Sequence, residues 1–490
     1  MISQALEKET HLKWVLFTFV FAVVAVFFTA IHPVTIISGD EWINLSSGRQ
    51  AYPQWGGFNP IKVVPEVAFP LFGNIASSVV MPLGFTFLEA IAYLTAVLVA
   101  LLVAAFLHQF YQLMRQTVGL STYISSVLVI FYLLCLFGLF RTLNNNNSPY
   151  LLWEQNLTCY YHYVLPTLIN GTVSLYMLRV STELKHLFYE KPVFSGSLIL
   201  AIYLCVFSNI FASVILAVMC GVVLLIDFIR NRFNIVSTIK ALPFHCIALL
   251  MWIISALFEM NGGRADNMAK EHLDISGSVN ALISLFKLTE LTFFCVLSVG
   301  IICGIFFLFF RMSDASKARN FLVLIASGAI TTLALILICA KASANYAYRP
   351  VAMWGTFMYL IVASSVGLGY LMERVKAVHY IAPIVLLCLV NKATDQYHSL
   401  RESHNGNVPF SVANAIGQDM INQVVNAVHS NQRTMILHVP KGGGYGNWPF
   451  PTTRGRQISE TLKSNGLIPR NIEIKIQPDI EMNAKYGMPI

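Results

Sequence analysis

The chain has 490 residues, a length that by itself suggests about three soluble domains. Composition excludes that reading: AVILMFWYC residues make up 56%, charged residues only 11%, and mean hydropathy is +0.65, whereas soluble proteins are roughly 25% charged. With 34 Phe and 20 Tyr, no packing hides this apolar excess, so a soluble enzyme, a disordered scaffold and a disulfide-rich secreted protein are excluded, and the net charge of +8 is read as membrane orientation rather than nucleic-acid binding.

A hydrocarbon core of about 30 Å takes about 20 apolar residues per helix. That ruler predicts an α-helical polytopic membrane protein with about eleven transmembrane helices. They fall near 14–37, 84–107, 121–140, 164–178, 193–207, 209–229, 241–259, 289–310, 321–340, 351–372 and 378–391. The first is read as a retained span, because Phe28-Thr29-Ala30-Ile31-His32 lacks a small-x-small cleavage pattern. Eight of the nine cysteines lie in apolar runs, Cys159 being the exception; with no CxxC spacing, neither a disulfide framework nor a zinc site is expected.

Lys and Arg are denser in the short loops that face the cytoplasm if the N-terminus does (Lys8, Lys13, Arg179, Arg230, Arg311, Lys317) than in the long loops of the other side. The N-terminus is therefore expected inside. An odd number of spans then places the tail outside. Residues 1–391 form the multispan domain, with outer loops 38–83, 141–163, 260–288 and 341–350. Residues 392–490 form a small extracytoplasmic α/β domain, with a helix over 412–428 and strands over 435–439 and 472–476. Between them lies Lys441-Gly442-Gly443-Gly444-Tyr445-Gly446. It lacks the spacing of a phosphate-binding loop and no helix clearly follows, so it is read as a plain flexible loop.

The outer face carries the length, and the candidate chemistry with it. Where the first span emerges stands Ser38-Gly39-Asp40-Glu41-Trp42. Two adjacent carboxylates can point in different directions into one cleft, one serving as general base. The plainer alternative is that they cap a short surface helix, which suits its dipole. Pro82 and Gly84 are expected to separate an interfacial helix from the second span, leaving Glu89 about 6–8 Å below the surface by helical rise. An intramembrane carboxylate is a functional candidate or half of a buried ion pair. The second outer loop brings Trp153, Glu154, Tyr161 and His162, a possible sugar platform or an interfacial aromatic belt. The third carries Arg264 and Lys270, and the fourth Arg349, placed for a lipid-linked phosphate. Snorkelling or pairing with a carboxylate would equally account for Arg349.

Together the multispan chain, Asp40-Glu41 in the first outer loop, the interfacial helix and the outside tail resemble the GT-C class of integral membrane glycosyltransferases. Within that class the chain resembles the bacterial and prophage Gtr-type glucosyltransferases that modify the O-antigen of lipopolysaccharide. Only Asp40-Glu41 is carried over as a motif. The resemblance implies an inverting enzyme of the inner membrane. It would move a hexose, glucose foremost, from a polyprenyl-phosphate donor to a lipid-linked or cell-surface glycan acceptor. No cofactor is implied, and a carboxylate-bound divalent metal is left open. Asp40 or Glu41 would be the base. From position alone, Arg349, Arg264 and Lys270 would hold the donor phosphate, and Trp153, Glu154, Tyr161, His162 and Glu89 the sugars. A transporter or flippase of lipid-linked saccharide, and an O-antigen polymerase, are the alternatives; the first would favour polar mid-span residues and internal repeats.

Overall fold

The computed structural model describes residues 2–46, 62–141, 150–154, 156–260, 273–310, 315–397, 409–447 and 450–488. It is a helical polytopic protein. Eight helices are long and apolar enough to cross a membrane: His11–Ile31, Val63–Leu83, Phe87–Val118, Ile210–Arg230, Pro243–Met260, Leu291–Phe309, Ala315–Ala342 and Trp354–Arg374. Leu184–Glu190 and Pro192–Val206 form a further pair bent by 117°. Thr122–Gly138 is a shorter apolar helix, Leu165–Arg179 is a shorter helix of mixed polarity, and Lys376–Tyr397 follows Trp354–Arg374. Each expected span thus coincides with a helix, but not every one meets the length and hydropathy of a full crossing.

In chain order, α1 (Ile2–Val26) passes into one π-helical stretch, Phe27–Ile31, and leads to the short α2 (Gly39–Ser46). Helix α3 (Val63–Ile75) continues through irregular turns to Leu83, and α4 (Phe87–Gln112) runs back antiparallel to α1. The antiparallel sense follows from two contacts. Phe17 of α1 meets His108 of α4 at 5.1 Å between ring centroids, while Phe28 and Val34 share a small apolar gap with Ala92 and Ala96. The end of α1 and the start of α4 therefore lie together, and this is called the site end below.

Helix α3 passes the length test for a span, yet both its ends are at the site end. The Lys62 amide donates to the Phe207 carbonyl at 2.5 Å, and its ammonium pairs with Glu259 at 3.3 Å. Phe207 precedes Asn209, which donates to the carbonyl of His162, near the end of the loop before Leu165–Arg179. The other end stops at Gly84, three residues before α4, in the left-handed region (φ 100°) that glycine enters without strain. The helix thus crosses the end of the bundle rather than its thickness, with Leu71, Val79 and Leu83 exposed as an apolar face. The interfacial helix expected before Pro82 and Gly84 begins at Val63.

A second helix, Ile275–Lys287, behaves alike. Asp274 donates to Ala340 at one end (3.0 Å), and Arg141 to Leu288 at the other (2.7 Å). Deep in the bundle, Leu291–Phe310 and Trp354–Arg374 cross with backbones touching: a methyl group added to Gly367 would overlap the Gly300 carbonyl oxygen, and one at Gly300 would overlap the Ser364 hydroxyl. Close approach through small residues is how helices gain dispersion contact where lipid supplies no hydrophobic driving force. Some polar groups in the bundle bond to main-chain carbonyls, while the hydroxyls of Tyr132, Ser327, Thr331, Ser364 and Ser365 are buried with no hydrogen-bond partner among the described residues. Asn170 donates to the carbonyls of Pro166 and Cys205 (both 2.9 Å), and Tyr359 to that of Ile215 (2.8 Å).

The tail contains a helix Phe410–His429, a strand β1 (Thr434–Pro440), a helix Gly455–Ser464, a strand β2 (Glu473–Asp479) and a last helix Ile480–Tyr486. The strands pair in parallel, Leu437 opposite Ile476. The free edge of β1 is closed by Gln423, which accepts from His438 N–H (3.0 Å) and donates to its carbonyl (3.1 Å). Contrary to expectation, a helix does follow the glycine-rich loop; its apolar anchors Ile458 and Leu462 sit one turn apart among polar residues. The loop is not free either. The Lys441 and Gly442 amides donate to the side chains of Asn483 (2.7 Å) and Asn447 (2.6 Å), so these donors do not face a phosphate.

The tail rests on the site end. Thr461 donates to the carbonyl of Trp42 at 3.0 Å, and Thr35 to the side chain of Asn414 at 3.4 Å. A buried bond such as the first contributes about 1 kcal/mol, and the apolar faces beneath it, including Trp42, Leu45 and Leu462, are fully buried.

Candidate functional site

The acidic pair opens α2, both residues in its first turn, where the dipole favours negative charge. The two side chains then part. Asp40 is exposed, and its carboxylate has no hydrogen bond or ion pair with any described residue. Glu41 is fully buried. One of its oxygens accepts from the amides of Ile37 (2.7 Å) and Ser38 (2.6 Å), the other from Leu157 (2.9 Å). Burial pushes its carboxyl up to about 7 against the pull of these three bonds. Glu41 ties the turn before α2 to the second loop; it does not face a cleft.

That loop holds Glu154, 1% exposed and paired with Arg349 across 195 residues of chain. The guanidinium also lies 3.9 Å from the Cys159 sulfur and over the rings of Tyr163 (5.0 Å) and Tyr346 (5.3 Å). These aromatics flank the cation and exclude water from one side of it. The Arg349 side chain keeps 27% of its surface open. Cys159 thus lies beside the Arg349–Glu154 pair. Burial, with the carboxylates of Glu154 and Asp40, pushes its thiol far up, so Cys159 is not a thiolate nucleophile.

The remaining sequence candidates separate. Trp153 is partly exposed beside Glu154. Tyr161 turns inward: it stacks on Phe69 (4.5 Å, 21°), and its hydroxyl meets that of Thr95 at 3.1 Å. His162 is buried, with its carbonyl held by Asn209. Glu89 accepts from the amide (2.9 Å) and hydroxyl (2.8 Å) of Thr86, closing a capping box at the start of α4. The span begins at Phe87, later than expected, and Glu89 lies in its first turn at the bundle's end, not a turn below it. Arg264 and Lys270 lie outside the described residues.

The structure adds groups that spacing did not reveal. Cys159 and Tyr346 join the Arg349 cluster. Arg454, from the loop before Gly455–Ser464, lies against Gly39: a Cβ there would meet its Cγ at 3.0 Å and its Nε at 3.4 Å. The tail therefore bears a cation next to Asp40. In the sequence, the only signal was the Arg454-Gly455-Arg456 run. No protein-family model matches this chain, and no curated protein matches it.

Proposed function

We propose that the chain is an inverting hexosyltransferase that uses a polyprenyl-phosphate sugar, foremost glucose, at the outer face of a bacterial inner membrane. The N-terminus is cytoplasmic, and the α/β tail is a periplasmic domain over the site end of the bundle. The acceptor is a lipid-linked or cell-surface glycan such as O-antigen. The observation that carries this reading is an exposed carboxylate, Asp40, with no side-chain partner among the described residues, sharing one end of a membrane bundle with the partly open, aromatic-backed Arg349. The likeness to GT-C glycosyltransferases supplies the reaction class.

In that reaction Asp40 takes the proton of an acceptor hydroxyl. The oxygen attacks the anomeric carbon from the face opposite the phosphate, the C1–O bond breaks, and its electron pair leaves on polyprenyl phosphate. Arg349 faces the charge that develops there. Glu154 fixes one nitrogen of its guanidinium, and the fork has further N–H donors for phosphate oxygens. Glu41 is the support: its bond to Leu157 ties the loop bearing Glu154 to the helix bearing Asp40.

The test compares Asp40→Asn with wild type in membranes supplied with radiolabelled polyprenyl-phosphate hexose. Asp40→Asn should insert and fold normally and lose transfer by roughly 100- to 10,000-fold, the usual worth of a positioned base. Wild-type transfer by Asp40→Asn would remove the assignment.

A further inference from the structure

The tail's Arg454 lays its stem over Gly39, the residue before Asp40. Its neighbour Arg456 is engaged on its own helix, bonded to Glu460 at 2.7 Å. Arg454, partly buried, has no side-chain hydrogen bond or ion pair with any described residue, although the exposed Asp40 follows the glycine it covers. Its stem packs closely on Gly39: a Cβ there would stand 3.0 Å from the Arg454 Cγ and 3.4 Å from Pro451. The following helix is clamped on both sides. Thr461 bonds to Trp42 of α2, and Ser459 accepts from the Ile472 amide at 2.9 Å, just before β2. A methyl group at Gly455 would overlap the Ile474 carbonyl oxygen, so the segment sits hard against the sheet. A guanidinium with its stem held and its head unpaired is arranged to receive an oxyanion in its fork.

The geometry points to Arg454 as an oxyanion-binding residue on the tail side of Asp40. Arg349 stands with Cys159 and Glu154 in the bundle, whereas Arg454 hangs from the tail over the start of α2, with Asp40 beside it. An acceptor whose hydroxyl reaches Asp40 would thus place an adjacent carboxylate or phosphate against Arg454, and the tail would select acidic glycans. This rests on the proposed transfer reaction for the word acceptor, but the anion site itself does not.

The experiment measures binding of methyl glucuronide and of glucose 6-phosphate to the purified full-length protein in detergent, with methyl glucoside as the neutral control. Wild type, Arg454→Gln, Arg454→Lys and Arg456→Gln are compared. The expected result is anion binding weakened about tenfold or more in Arg454→Gln, the loss of one charge-assisted contact. It should be partly kept in Arg454→Lys and unchanged in Arg456→Gln, whose guanidinium is already paired with Glu460, with the stronger of the two anions identifying carboxylate or phosphate. Equal anion binding by wild type and Arg454→Gln, or an equal loss in Arg456→Gln, overturns the proposal. Arg454-dependent binding in a protein that shows no glycosyl transfer would uphold the anion site and remove the transferase reading instead.

Discussion

Glu41 and Asp40 are neighbours with opposite fates, and the difference is one of solvation. Asp40 stays in water at the start of α2, while Glu41 points inward, where three amides replace its hydration. Its carboxyl titrates at about 7 in the folded protein, against 4.5 for an ordinary glutamate. The folded state therefore holds this proton more tightly than the unfolded chain does. The stabilisation is complete below about pH 4.5 and is lost as pH rises towards about 7, an effect of roughly 3 kcal/mol. Thermal unfolding of the detergent-purified protein should show that decline for wild type, and Glu41→Gln should flatten it over the same window. An unchanged pH slope in Glu41→Gln would place the titrating group elsewhere. The acidic pair itself was legible in the sequence, as was the possibility that its members diverge. Which one turns inward was not, because that depends on the Leu157 amide, 116 residues away. The same holds for Glu154: its burial against Arg349 is a contact between distant loops, which spacing along the chain does not show.

Helices were the most legible elements, since twenty apolar residues have few alternatives to a helix in a membrane protein. What length alone misassigns is direction. Val63–Leu83 has the length of a span and lies across the bundle, because Lys62 is anchored to Phe207 and Glu259 at the same end as Gly84. Gly455–Ser464 was missed for the opposite reason: only its Ile458–Leu462 stripe is apolar among charged neighbours. The pairing of Leu291–Phe310 with Trp354–Arg374 had a signal, Gly300-Ile301-Ile302-Cys303-Gly304, whose spacing puts both glycines on one face. Gly367→Ala should drive these helices apart and cost about 1–3 kcal/mol, as overpacking does, read as a lowered unfolding temperature. Gly221→Ala, in Ile210–Arg230 with open space around it, should leave that temperature unchanged or raise it. Equal effects of the two substitutions would refute the close crossing.

At the scale of the molecule, the tail, α2, α3 and the Glu154–Arg349 pair all meet at one end of the bundle. The start of α1 lies towards the other end, as the Phe17–His108 contact deep in α4 requires. Reporters fused before Met1 and after Ile490 should therefore report opposite sides of the membrane, the second one outside; both on one side would break the shared-end arrangement. The central claim is that this end transfers a sugar rather than passing one through. The most direct measurement is product analysis in sealed proteoliposomes loaded with radiolabelled polyprenyl-phosphate hexose and a glycan acceptor on the tail side. The account predicts label on the acceptor in inverted linkage, with free polyprenyl phosphate released in equal amount. Label that stays on intact donor while changing leaflets would contradict it.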